Sequence, residues 1–126
     1  MYSDQGPFYD GCSDRTKTML RMSGTNIGNL LTAKHVTWSW FEGGFTPTSR
    51  TRSGSPVCGS AHGNIAGQTA VNYVPHHEPF QYYRSTANPG HLPPASLAEV
   101  GTPGGPTTST TSAGSSGPCA AGSCPR

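Results

Sequence analysis

One short part of the sequence carries apolar residues at a regular spacing, and it limits the regular structure that the chain can form. Ile27, Leu30 and Leu31 recur at the i, i+3 and i+4 positions of one helix face. Thr25 precedes them as a helix-capping residue, and the pattern ends near Lys34. The sequence therefore predicts one short amphipathic helix that Thr25 caps.

A different periodicity follows directly. Residues 36–41, VTWSWF, alternate β-branched or aromatic residues with polar ones, which predicts a strand with Val36, Trp38 and Trp40 on one face. Gly43 and Gly44 then break the pattern. A helix followed closely by a strand is half of an alternating arrangement, so the predicted fold class is α/β.

The rest of the first hundred residues predicts little regular structure. Residues 46–72 are rich in Ser, Gly and Thr and are expected to form a long loop. Residues 80–86 favour a helical turn, Asn88, Pro89 and Gly90 favour a turn, and residues 95–100 favour a second short helix.

Composition changes near residue 100 and predicts two regions. Hydrophobic residues make up 32% of the chain, which also holds 17 glycines and 12 prolines, so the core is expected to be thin. Residues 101–126 are mostly Gly, Pro, Ser and Thr and bury too little surface to offset the entropy of ordering. We expect an ordered part over residues 1–100 and a disordered low-complexity tail over residues 101–126.

Charge and hydropathy argue against two kinds of partner. The net charge is +2 with scattered cations, whereas a nucleic-acid-binding face needs clustered ones. No apolar run is long enough to predict a transmembrane segment. The segment MYSDQGPFYDGCSD has neither the basic nor the apolar part of a signal peptide.

The four cysteines leave two alternatives open. Their spacing fits neither a zinc ribbon nor a redox CxxC motif, and at most Cys12 pairs with Cys58. A disulfide there and two free buried thiols are equally compatible with the sequence. A zinc site is a weaker hypothesis, because tight paired spacings are missing; its donors would be Cys12, Cys58, His62, His76 and His77.

The candidate catalytic residues are His76 and His77. Pro75 on one side and Glu78-Pro79 on the other stiffen the backbone and exclude a regular helix there. Paired imidazoles can donate to phosphate oxygens, protonate a leaving alcohol or bind a metal, and Glu78 is placed to orient one of them. The alternative is a pair of solvated loop histidines. No GxSxG, P-loop or HExxH motif identifies a nucleophile.

Several motifs resemble, in the same order, the middle of bacterial phosphoesterases of the phospholipase C and acid phosphatase family. They are DGCSD at 10–14, MSGTNIGNLLTAKHVTWSWFEGGFTPT at 22–48, AHGNIAG at 61–67 and NYVPHHEPFQYYRSTANPGHLPPAS at 72–96. The resemblance implies an alkaline-phosphatase-like α/β/α sandwich, a Ser or Thr nucleophile, a divalent metal held by carboxylates, and hydrolysis of phosphate esters.

The resemblance also implies what these residues do. His76 and His77 match histidines that border the phosphate pocket, where they contact phosphate or protonate the leaving group. The nucleophile and the metal ligands of the family match no residue here. We therefore expect a fragment of a phosphoesterase domain over residues 1–100, inactive alone and without its own metal, from a secreted or periplasmic enzyme acting on phosphate esters or phospholipids.

The tail departs from the family in a regular way. PTTSTT at 106–111 is what codons for the family's ANHQYD give when they are read one base out of frame. From about residue 103 the tail is therefore expected to be a frameshift product, in which Cys119 and Cys124 have no evolved role. The alternative reading of the whole chain is a small non-enzymatic secreted protein, with a Cys12–Cys58 disulfide and a flexible tail.

Overall fold

Irregular backbone connects a few short elements in the computed structural model, which describes residues 4–94 and 96. In chain order these are β1 (Gly6–Pro7), β2 (Met19–Leu20), α1 (Ile27–Ala33), β3 (Ala61–Gly63) and β4 (Thr69–Val71), followed by two 3₁₀ turns at Pro75–His77 and Pro79–Tyr82. This mixture of helix and small sheets is α/β in a loose sense. The predicted disordered tail, and the helix predicted over residues 95–100 except for Ser96, lie outside the described residues.

Helix α1 forms where the apolar spacing predicts it, but Asn26 and not Thr25 is its N-cap. Asn26 Oδ1 accepts a hydrogen bond from Asn29 N at 3.0 Å, and Asn29 Oδ1 accepts one from Asn26 N at 3.2 Å. This reciprocal capping box satisfies two backbone donors at once, which a Thr25 cap would not. The Lys34 backbone N–H closes the other end onto the carbonyls of Leu30 and Leu31.

The strand predicted over residues 36–41 is wrong, because this segment packs its aromatic rings and pairs with no described strand. Trp38 and Trp40 both contact Phe80, with ring centroids 4.7 and 5.7 Å apart. Trp38 also donates from Nε1 to Thr32 Oγ1 at 2.9 Å and covers the buried Gly28 of α1. The alternation of aromatic and polar residues therefore places both tryptophan rings on one side of an irregular segment.

The four strands form two small sheets of two strands each. Strands β1 and β2 pair in parallel, with Gly6 opposite Met19. Strands β3 and β4 form an antiparallel hairpin, with His62 opposite Ala70, so the prediction of a continuous loop over residues 46–72 is wrong there. Asn64 closes the hairpin, since its side chain accepts from the backbone N–H groups of Ala66 and Gln68.

The core is small and mostly polar. Phe45 and Tyr73 are the buried hydrophobic residues within the described chain, with rings 5.5 Å apart. The buried polar residues outnumber them: Asp10, Ser13, Glu78, Gln81, Thr86, Asn88 and His91. Such a core depends on hydrogen bonds as well as on buried apolar area, because a buried polar group without a partner is costly.

A disulfide joins Cys12 and Cys58, with their Cα atoms 5.5 Å apart. Of the two alternatives for this pair, the disulfide is confirmed and the two free thiols are wrong. Cys12 lies beside Asp10, whose carboxylate accepts a hydrogen bond from the Cys12 backbone N–H at 2.6 Å. The covalent link therefore ends beside the buried polar core.

Apolar side chains are also exposed. On α1, Ile27 and Leu30 are 59% and 54% exposed, so two of the three apolar residues of the predicted helix face do not pack on the core. Among the described residues, no helix has the length and apolar character needed to cross a membrane.

Candidate functional site

The two predicted catalytic histidines share the first 3₁₀ turn, Pro75–His77. Their rings meet edge to face, with centroids 4.3 Å apart. His76 is half-buried and His77 is exposed. The His77 backbone N–H donates to the Val74 carbonyl at 3.0 Å, and Pro75 begins the turn. Both imidazoles are thus held on a short, stiff piece of backbone that solvent reaches.

Glu78 follows the histidines and is 2% exposed. Its Oε1 accepts a hydrogen bond from the backbone N–H of Phe80 at 3.0 Å, so it caps the second 3₁₀ turn. Glu78 therefore fixes the backbone just after the histidines. That it orients one of the imidazoles stays a prediction.

His76 lies on the wall of an open cleft of about 170 Å³. The other lining residues are Asp4, Gly6, Cys12, Ser13, Asp14, Lys17 and Pro75. Lys17 Nζ is 3.7 Å from Asp14 Oδ2. Hydrogen bonds from the Thr16 hydroxyl and then from its backbone N–H lower the pKa of Asp14, so this carboxylate is charged and faces the lysine. The cleft combines an imidazole and an ammonium with two carboxylates.

A second group of polar side chains, which no local sequence pattern joins, lies in the core. Asp10 and His91 are both fully buried, and His91 Nε2 lies 2.9 Å from Asp10 Oδ1. Tyr73 donates from its hydroxyl to the other carboxylate oxygen of Asp10. The His91 ring stacks on Phe45 with centroids 4.3 Å apart. We call Asp10, Tyr73 and His91 the buried triad.

The hydrogen bonds of the buried triad fix its protons. His91 Nδ1 lies 2.8 Å from the Phe45 carbonyl oxygen, which only accepts, so Nδ1 carries a proton. Nε2 faces a carboxylate that also accepts from Cys12 N. The Nε2–Oδ1 contact of 2.9 Å needs one hydrogen between its two atoms, because two bare acceptors would repel each other. Burial, and next the charge of Asp10, raise the pKa of Tyr73, which therefore stays a donor.

His91 reaches the core because the preceding turn is held from two sides. Gln81 Nε2 donates to Asn88 O at 3.0 Å, and Arg50 donates to the carbonyl oxygens of Gly90 and His91 at 2.7 Å each. The predicted turn at residues 88–90 is confirmed, with His91 N donating to Asn88 O. His91 itself has φ of 50°, a left-handed conformation that costs energy for a residue with a Cβ.

Glu42 adds a further carboxyl near the triad. Burial, and next the negative charge of Asp10, raise the pKa of Glu42 to about 7, although a hydrogen bond from Trp40 and the charge of His91 oppose the shift. Its buried Oε2 has no hydrogen-bond partner within the described part of the chain. Glu42 therefore holds a proton more readily than an exposed glutamate.

The predicted zinc site from Cys12, Cys58, His62, His76 and His77 is wrong, because both sulfur atoms are bonded to each other. His62 Nδ1 pairs instead with Asn72 Oδ1 in the hairpin. Over the described residues, the group with three metal-ligand atoms close together is Asp10, Cys12 and His91. One carboxylate, a disulfide sulfur and a histidine do not fit the carboxylate-held divalent metal that the family resemblance implies.

No family model matches the chain, and no curated protein matches it. The phosphoesterase resemblance thus stays a prediction that rests on the quoted motifs.

Proposed function

We propose that the chain is part of a phosphoesterase, a hydrolase of phosphate mono- or diesters, and that His76, with His77 in contact with its ring, forms one wall of its phosphate-binding site. The observation that carries the proposal is the position of His76 in a solvent-open cleft together with Lys17. An ammonium and an imidazole both donate to phosphate oxygens, and an imidazolium can protonate a leaving alcohol.

The proposed contribution is binding and proton transfer without a nucleophile. Ser13 lines the cleft, but its hydroxyl donates to the Pro7 carbonyl at 2.7 Å and is therefore committed to the backbone. Asp4 and Asp14 on the same cleft repel a phosphate group, which limits affinity to the weak range. On this proposal the 126-residue chain binds a phosphate ester and does not hydrolyse it.

Titration with phenyl phosphate, followed by the ring-proton NMR signals of the five histidines, tests this proposal. We expect a saturable shift at His76, a shift at His77 through its ring contact with His76, and about a tenfold weaker binding constant for His76→Ala, because a hydrogen bond to a charged group contributes about 1.5 kcal/mol or more. Lys17→Ala should weaken binding similarly.

His62→Ala is the matched control, because His62 is an exposed histidine on the β3–β4 hairpin and does not line the cleft. It should leave the binding constant unchanged. Shifts at His35 and His62 as large as those at His76 and His77 would contradict the proposal. Metal-dependent hydrolysis of p-nitrophenyl phosphate by the chain alone would contradict the absence of a nucleophile.

The Cys12–Cys58 disulfide supports a secreted or periplasmic location, since such bonds persist in oxidising compartments. It equally favours the second candidate, a small non-enzymatic secreted protein. Phosphate titration separates the two, because that protein would bind phenyl phosphate no better at His76 than at His62.

A further inference from the structure

Three different metal-ligand atoms lie together at the edge of the core. A carboxylate oxygen of Asp10, the sulfur of Cys12 and a ring nitrogen of His91 are all within 4.8 Å of one another. Carboxylate, thiolate and imidazole are the side-chain donors that zinc binds. In the disulfide form Cys12 is not a thiolate, so the set lacks one donor.

The surroundings of these donors match those of a built metal site. A histidine that binds a metal donates its other ring N–H to a backbone carbonyl or a carboxylate, and His91 Nδ1 lies 2.8 Å from the Phe45 carbonyl. A ligating carboxylate is also held by hydrogen bonds, and Asp10 accepts from the Tyr73 hydroxyl. These contacts hold His91 Nε2 and Asp10 Oδ1 2.9 Å apart, and the Cys12 sulfur lies within 4.8 Å of a ligand atom on each residue.

We propose that opening the Cys12–Cys58 disulfide creates a zinc site formed by Asp10, Cys12 and His91, with solvent as the fourth ligand. Two equivalents of a small-molecule thiol break the S–S bond and leave as their own disulfide, and Cys12 and Cys58 each gain a proton. Zinc then displaces into solvent the Cys12 thiol proton and the proton that lies between His91 Nε2 and Asp10 Oδ1. In an oxidising compartment the intact disulfide keeps the site closed.

The donor atoms must move by up to about 1 Å, and solvent reaches the Cys12 side of the site. Zinc bonds of about 2.0 to 2.3 Å place neighbouring donor atoms about 3.3 to 3.8 Å apart. The Nε2–Oδ1 distance of 2.9 Å must therefore widen by about half an ångström. Cys12 lines both the cleft of His76 and a second cleft of about 410 Å³ that Cys58 also lines. On the proposal a thiol approaches the disulfide through these openings, whereas Asp10 and His91 are fully buried and admit zinc only once the disulfide has opened.

Two single variants that each remove the disulfide test the proposal. Cys58→Ser leaves Cys12 as a thiol beside Asp10 and His91, whereas Cys12→Ser leaves Cys58 as the thiol instead. Cys119 and Cys124 are replaced by serine in both chains, so that each retains one thiol. Cobalt(II) serves as the probe, because thiolate ligation gives a charge-transfer absorption band that zinc abolishes on displacing it.

We expect the band in the Cys58→Ser chain and not in the Cys12→Ser chain, with cobalt affinity at least about tenfold higher in the former. Tyr73→Phe in the Cys58→Ser chain should lower the affinity about 10-fold to 100-fold through the loss of its hydrogen bond to Asp10. The oxidised chain that keeps both Cys12 and Cys58 should show no band.

Equal cobalt binding by the two variants would overturn the proposal, and so would a Cys58→Ser chain without the band. Unfolding caused by loss of the disulfide does not account for a missing band in the Cys58→Ser chain. Metal binding and folding are coupled, so a real site would fold the chain as cobalt saturates it. A Cys58→Ser chain that remains unfolded at saturating cobalt by circular dichroism therefore also overturns the proposal.

Discussion

Glu42 shows how a single carboxyl makes the stability of this core depend on pH. Burial and the charge of Asp10 favour its protonated form in the folded chain, with a pKa of about 7 against an ordinary value of 4.5. Between these two values the folded chain binds more protons than the unfolded one. The free energy of unfolding must then fall as pH rises through this window.

We expect Glu42 to contribute its full stabilisation below pH 4.5 and to lose about 1 to 2 kcal/mol as the pH rises through 7, a range reduced for its half-buried position. Glu42→Gln keeps the size and an acceptor and removes the titration. Urea unfolding at pH 5 and pH 8, the two sides of about 7, should give a smaller pH dependence for this variant. Parallel profiles for the two chains would show that Glu42 is not the group responsible.

The buried triad also marks the limit of residue-level prediction. His76 and His77 were visible because they are adjacent and flanked by prolines, which are properties of local sequence. His91 and Asp10 are 81 residues apart, and neither stands in a pattern that points to the other. Only the fold brings them together, so a single sequence carries no signal for the pair.

At the scale of elements, sequence patterns correctly predict those elements whose contacts come from residues nearby in the chain. Helix α1 was predictable from spacing and capping within one turn, apart from a cap one residue later than expected. The residues 36–41 look equally regular, but a strand depends on a partner, and Phe80 offers the two tryptophans a packing surface instead. The hairpin of β3 and β4 was missed because its strands are short and almost fully exposed, without apolar alternation.

The contact between α1 and Trp38 gives an element-scale prediction. A Cβ on Gly28 would lie 2.3 Å from the Trp38 ring, so Gly28→Ala must displace the ring and weaken its bond to Thr32. Overpacking costs about 1 to 3 kcal/mol, whereas alanine improves helix propensity by about 1 kcal/mol. We expect net destabilisation of up to about 2 kcal/mol in urea unfolding followed by circular dichroism.

The control for this prediction is the same substitution in a Trp38→Ala chain. Without the indole ring only the helix propensity remains, and Gly28→Ala should then stabilise by up to about 1 kcal/mol. If Gly28→Ala destabilises both chains equally, the Trp38 contact is not the cause.

At the scale of the whole molecule, the disulfide compensates for a core with two buried hydrophobic residues among those described. It closes a loop across a sequence separation of 46, for which loop entropy corresponds to about 4 kcal/mol. A native domain has only about 5 to 15 kcal/mol of stability, so this link accounts for a large fraction of it.

We therefore expect reduction, or Cys12→Ser with Cys58→Ser together, to lower the free energy of unfolding by about 4 kcal/mol and to remove most of the cooperative transition in urea. Serine at both Cys119 and Cys124 is the control and should leave the urea midpoint in place. An unchanged midpoint after reduction would mean that the hydrogen-bonded core holds without the link.

The position of the triad along the chain has a consequence for the order of folding. Asp10 is synthesised 81 residues before His91 and 63 before Tyr73, and Tyr82 reaches back 77 residues to the carbonyl of Gln5. Helix α1 and the hairpin can form from neighbouring residues as these are synthesised, whereas the core cannot close until His91 is present. Contacts this distant in sequence slow the search for the native state. Closure around His91 should be the final step of folding, and the exposed carboxylate of Asp10 persists until then.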